Sequence, residues 1–159
     1  MDLKQFAVDT PYPEIVVEKN LADGRLLMPS YGGNASEITA IMTYSFQHFI
    51  CPIKEVSEVV AGISTTEMRH MELLGEAIVN LGGYPIIGGR TYWNGSFVNY
   101  TLDTKRFLQQ NILAEETAIL NYERTILNLS QDSLKRMLER IILDEELHIK
   151  IFKELLQTI

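Results

Sequence analysis

Two Glu-x-x-His segments, Glu67-Met68-Arg69-His70 and Glu145-Glu146-Leu147-His148, lie 78 positions apart (145 − 67). The repeat continues upstream: Glu37 and Glu115 each precede their segment by 30 residues (67 − 37, 145 − 115). Seven residues after each of these glutamates comes a tyrosine, Tyr44 and Tyr122. On a helix of about 3.6 residues per turn, steps of three and seven stay near one face. Each half of the chain would therefore present Glu and Tyr from one helix, and Glu and His from the next, toward a common axis. For any single glutamate the plain alternative is a solvated or salt-bridged position on a helix face. Six such residues on core stripes, in duplicate, point instead to metal. An uncompensated buried carboxylate costs on the order of several kcal/mol. Two divalent cations balance four carboxylates, and two neutral imidazoles add nitrogen donors.

The elements that must hold these residues read as helices. Asn34 is the expected cap of a first bundle helix with the stripe Glu37, Ile41, Tyr44, His48 and Cys51, ended by Pro52. A second, from about 53 to 81, carries Val56, Val60, Ile63, Glu67, His70, Leu74, Ala77 and Leu81, and stops at Gly82-Gly83. A third, roughly 104–129, carries Leu108, Ile112, Glu115, Ile119, Tyr122, Ile126 and Leu129. After a tight turn at Ser130 to Asp132, the fourth runs to the end with Leu134, Leu138, Ile141, Glu145, His148, Phe152 and Leu155. In each, the candidate ligands occupy positions that the apolar pattern reserves for core.

Before these helices, residues 1–19 hold Pro11, Pro13 and Ile15-Val16-Val17, which suggests an extended arm or edge strand that must find a partner surface. Residues 20–31 suggest a short helix that Pro29 and Gly32-Gly33 interrupt. The expected organisation is an arm and short helix over 1–32 and a four-helix bundle over 33–159, within one domain. Residues 82–103 form a crossover long enough to run the length of the bundle, at about 3.3 Å per residue. Its Tyr84, Tyr92, Trp93, Phe97 and Tyr100 are expected to cover a bundle face or a subunit interface.

Composition narrows the function classes. With 14 Lys and Arg against 21 Asp and Glu, the net charge of −7 argues against nucleic acid or an anionic membrane as partner. No apolar run is long enough to span a bilayer, and the first residues do not form a signal peptide. Cys51, the single cysteine, allows no intrachain disulfide and no iron–sulfur or rubredoxin cluster. A reducing cytoplasm is the expected compartment.

The stretch Tyr31 to Glu37 and on through Tyr44-Ser45-Phe46-Gln47 resembles the first bundle helix of manganese catalases, and residues 134–148 resemble rubrerythrins and bacterioferritins. The paired Glu and Glu-x-x-His pattern over residues 30–159 is similar to the ferritin-like superfamily of di-metal carboxylate bundles. That resemblance implies an all-α, ferritin-like four-helix bundle with one long crossover between its second and third helices. It implies two iron or manganese ions held by Glu37, Glu67, His70, Glu115, Glu145 and His148, with Glu67 and Glu145 as bridges. Tyr44 and Tyr122 are expected to hydrogen-bond ligand carboxylates. Met68 stands where bacterioferritins place the methionine that ligates an intersubunit haem, although a methionine beside a core stripe more often packs. The fifth helix of ferritin cages and the cysteine module of full rubrerythrins have no counterpart here.

Glu116, one step off the stripe and matched to Ile38 in the repeat, is expected to face solvent, as are Glu72, Glu76, Glu146 and Glu154. His48, matched to Ile126, is expected to be a satisfied core histidine. The leading expectation is an oxidoreductase acting on hydrogen peroxide or O₂, with manganese-catalase-like disproportionation as its reaction. Ferroxidation with iron storage, and a structural coat role with a fold-stabilising metal site, are the alternatives. A homodimer or small homo-oligomer is the expected assembly.

Overall fold

The computed structural model describes residues 3–88 and 92–159; the first two residues of the arm and positions 89–91 of the crossover lie outside the described residues. Five α-helices follow in order: α1 Leu21–Gly32, α2 Glu37–Ile50, α3 Lys54–Asn80, α4 Thr104–Asn128 and α5 Asp132–Thr158. α2 to α5 make a ferritin-like four-helix bundle, with α2 packed along α3 and α4 along α5. The segment between α3 and α4 is the single long crossover.

The stripes read from the sequence are largely the buried faces. Every α3 stripe residue is buried, and Leu108, Glu115, Tyr122 and Leu129 are buried on α4. On α2 the stripe bends: Gln47 rather than His48 is fully buried, and His48 is half-buried against Ser57. Gln47 faces α4, where it exchanges two hydrogen bonds with buried Asn111 at 2.9 and 2.7 Å. A reciprocal amide pair leaves neither group unsatisfied, so it can replace an apolar contact there.

Three local expectations are corrected. Ser36, not Asn34, is the N-cap of α2, and Asn34 bonds only to the neighbouring Ala35 amide. Pro29 does not interrupt α1, which continues to Gly32. α1 starts at Asn20, whose side chain accepts from the Ala22 and Asp23 amides. The arm is extended but forms no strand among the described residues. Its backbone groups find side chains instead: Val16 donates to Ser133, and Glu18 donates to Gln131.

The arm runs along the seam between α3 and α5, from Phe6 beside His148 to Glu18 beside Gln131. Phe6 is buried over Gly62, where an added Cβ would sit 2.1 Å from the ring. That close approach requires glycine. The arm's partner surface is therefore the bundle itself. Along the crossover, Trp93 donates to Thr39 and Tyr100 packs edge-on against Phe46, so both lie on α2. Tyr84 and Tyr92 are exposed. Two apolar clusters result. One, at the α1 end, includes Leu27, Leu74, Ile78, Leu138 and Tyr122; the other includes Phe6, Val60, Ile63, Phe107, Phe152 and Tyr44.

Candidate metal centre

Between those two apolar plugs lies a layer of buried polar groups. α2 contributes Glu37, α3 Glu67 and His70, α4 Glu115, and α5 Glu145 and His148, none more than 4% exposed. Their ligand-type atoms fall into two overlapping sets, Glu37, Glu67, His70, Glu145 and Glu67, Glu115, Glu145, His148, each with all atoms within 4.8 Å of one another. Glu67 and Glu145 belong to both.

Both imidazoles aim Nδ1 inward. His70 Nδ1 lies 3.0 Å from Glu67, 3.3 Å from Glu145 and 3.7 Å from Glu37. His148 Nδ1 lies 3.0 Å from Glu145, 3.0 Å from Glu67 and 3.8 Å from Glu115. The tyrosines cross between halves: Tyr44 donates to Glu115 and Tyr122 donates to Glu37. Glu67 Oε1, fully buried, lies 3.0 Å from His148 Nδ1 but is not aligned for a hydrogen bond. A converging set of hard oxygen and imidazole donors, one carboxylate oxygen among them without a well-aligned hydrogen bond, fits a pair of divalent cations.

The electrostatics of the layer show how strongly its packed carboxylates and imidazoles perturb one another. Burial pushes Glu37 up to about 8, against the pull of the nearby His70. Burial, then repulsion from Glu67 and Glu145, raises Glu115 well above the carboxylate range. Glu67 goes the other way: burial would raise it, but His148 and His70 pull it below its usual range. Burial alone would lower both histidines, yet the carboxylates, led by Glu145 for His70 and Glu67 for His148, raise them well above the ordinary imidazole value. The layer thus favours added positive charge, as converging buried carboxylates require.

The outward ring nitrogens have partners that periodicity did not reveal. His70 Nε2 is 3.1 Å from Asp144, and His148 Nε2 is 2.8 Å from the Phe6 carbonyl. Asp144 also accepts from Tyr12 at 2.5 Å and from the Val8 amide at 2.7 Å, and Arg140 lies 2.8 Å away. Asp144, next to Glu145, points off the stripe toward the arm. The i, i+4 spacing of Arg140 and Asp144 was the available signal, and it reads equally well as a surface pair. Glu72, Glu76, Glu116, Glu146 and Glu154 are exposed. Met68 is 51% exposed on α3, outside the cluster and beside a shallow recess lined by Tyr31 and Met71.

α2 and α4 stand apart, and the gap between them is a cavity of about 240 Å³ whose floor includes Glu37, Glu67, Glu115 and Glu145. Ala40, Thr43, Ala114 and Ala118 form its walls, with Phe97 and Asn99 of the crossover at the rim.

Fold and cluster together define a ferritin-like carboxylate bundle. The Rubrerythrin family model matches residues 33–156, and the chain belongs to that family. The probable manganese catalase of Clostridium acetobutylicum is 26% identical over 157 residues, spanning 84% of this chain and 70% of that protein. A manganese catalase from Anabaena PCC7120 superposes with a TM-score of 0.88 at 23% identity, over 94% of this chain and 78% of that one. Rhodobacter capsulatus bacterioferritin superposes with a TM-score of 0.76 at 18% identity, over 89% and 88%. Both structural likenesses concern the fold. Among the described residues, no helix is long and apolar enough to cross a membrane.

Proposed function

We propose that Glu37, Glu67, His70, Glu115, Glu145 and His148 hold two iron or manganese ions, and that the protein is an oxidoreductase acting on peroxide or O₂, with peroxide disproportionation as its reaction. The observation that carries this reading is the overlap of two four-residue donor sets in one buried layer that opens to the surface through the α2–α4 cavity. The manganese catalase relative supports the choice of reaction.

Two redox ions, once bound, would take up two electrons from one H₂O₂ as it becomes O₂ and return them to a second as it becomes 2 H₂O. The chain supplies the rest. Glu67 and Glu145 reach both donor sets and would set the spacing of the pair. Tyr44 and Tyr122, donating to Glu115 and Glu37, hold those carboxylates in place and tie each half of the bundle to the other. The small, weakly polar walls admit a molecule of peroxide's size, and the arm excludes water from the opposite side.

The test is reconstitution with Mn²⁺ or Fe²⁺, followed by oxygen-electrode recording after peroxide addition. Half a molecule of O₂ per peroxide, with two ions per chain, is the expected result. Fe²⁺ oxidation without O₂ release from peroxide would replace disproportionation with ferroxidation. Failure to bind either ion would remove the metal reading altogether.

A further inference from the structure

We propose that the two half-sites are unequal, with the His70 half the tight cation site and the His148 half the weaker, exchangeable one; this rests on the metal reading above. The 78-residue repeat superposes every ligand on its counterpart, but Asp144 corresponds to Thr66 (144 − 78). The two-fold pattern fails at the one position that faces the outer nitrogen of a histidine.

On the His70 side the outer acceptor is an anion. Asp144 is fully buried, and its carboxylate accepts from the Tyr12 hydroxyl and the Val8 amide with the Arg140 guanidinium 2.8 Å away. The Arg140 guanidinium lies beside Asp144 and is tied to the arm through the Thr10 carbonyl at 2.5 Å and the Val8 carbonyl at 2.9 Å. It also stacks 4.2 Å from the Tyr12 ring. The carboxylate is thus clamped with one oxygen directed at His70 Nε2.

On the His148 side the outer acceptor is the neutral Phe6 carbonyl, which also accepts from Thr66 Oγ1 at 3.3 Å. A cation on Nδ1 drives positive charge toward the N–H at Nε2. An anionic acceptor stabilises that charge more than a neutral one, since charge-assisted hydrogen bonds are roughly twice as strong. An acceptor already shared with a hydroxyl stabilises it less still. Asp144 and the Phe6 carbonyl are therefore positioning groups of different strength. Loss of such an outer partner typically costs about 10–100-fold in metal affinity.

Equilibrium dialysis of Mn²⁺ against half-site variants of the full chain measures the difference. Glu115→Gln leaves Glu37, Glu67, His70 and Glu145 intact; Glu37→Gln leaves the His148 set. The Glu115→Gln protein should bind one Mn²⁺ about 10–100-fold more tightly than the Glu37→Gln protein. Adding Asp144→Asn should erase that advantage in the first background and change the second by less than about threefold. Should Asp144→Asn fail to fold, Tyr12→Phe, which removes one donor to Asp144, should weaken Mn²⁺ only in the Glu115→Gln background. Equal constants in the two half-site variants, or equal weakening of both by either second substitution, would overturn the inequality. If wild-type protein bound no Mn²⁺, the metal reading itself would fall.

Discussion

The α2–α4 side of the carboxylate layer and its α3–α5 side are built on opposite plans. Where α2 and α4 part, side chains alone bridge the gap, and a cavity of about 240 Å³ reaches the glutamates. Along the α3–α5 seam the gap is filled by a length of extended chain, with Phe6, Val8, Thr10 and Tyr12 bonded to or packed on the helices. The open side is lined by small or uncharged side chains, among them Ala40, Ala118, Thr43, Asn99 and Asn121. The closed side carries a charged cluster, Asp144, Arg140 and Tyr12. One side of the layer opens to a cavity and the other is braced, although the same 78-residue repeat supplies the inward-facing Glu and His side chains of both halves.

Glu67→Ala should have the largest effect, because Glu67 belongs to both donor sets. Paired metal occupancy and peroxide turnover should both disappear, as read by metal analysis and oxygen release. A variant retaining two ions would show that the halves do not share this ligand.

On the closed side, Phe6→Ala should destabilise the protein by about 3–5 kcal/mol in denaturant unfolding, as expected for truncating a buried aromatic ring. A cost near zero would mean that the arm is an accessory and not a wall.

The layer between the two sides predicts an unusual pH response without metal. Glu37, raised to about 8, holds a proton in the folded chain that an unfolded glutamate has lost. Glu115, His70 and His148 are raised as well, so the folded state binds more protons than the unfolded state. Stability should therefore be greatest below the unfolded values and fall as pH rises through neutrality toward 8 and beyond. Glu67, depressed, has the opposite sign and matters only under acid conditions. Chelator-treated protein should thus melt at progressively lower temperature from pH 5 to 9, and metal uptake should release protons to an indicator dye. A melting temperature that rose across that range would reverse the assignment.

On the open side, Ala114→Leu should narrow the cavity and lower kcat/KM for peroxide by about tenfold, while metal content and melting temperature stay near wild type. Unchanged turnover would place the entrance elsewhere. The smallest effect belongs to Glu116→Ala, an exposed residue one step from Glu115; occupancy and stability should stay within about 0.5 kcal/mol of wild type.

What the sequence determined by itself was the helices and the six inward-facing donors, because both follow from local periodicity. A residue three, four or seven positions from a core residue shares its face wherever the helix is placed. That is why Glu37, Glu67, His70, Glu115, Glu145 and His148 could be named from spacing, and why Glu116 could be set aside. Only the tertiary structure decided which tyrosine meets which glutamate. Tyr44 and Tyr122 each bond across to the other half, a pairing that depends on how two separate helices face each other. The same holds for Gln47 with Asn111, and for the supports of the histidines. Phe6 lies 142 positions from His148 and Tyr12 lies 132 from Asp144, so no pattern within a helix could join them. Those contacts exist because an extended arm, with unpaired backbone groups and a seam left open between α3 and α5, settled where both could be satisfied.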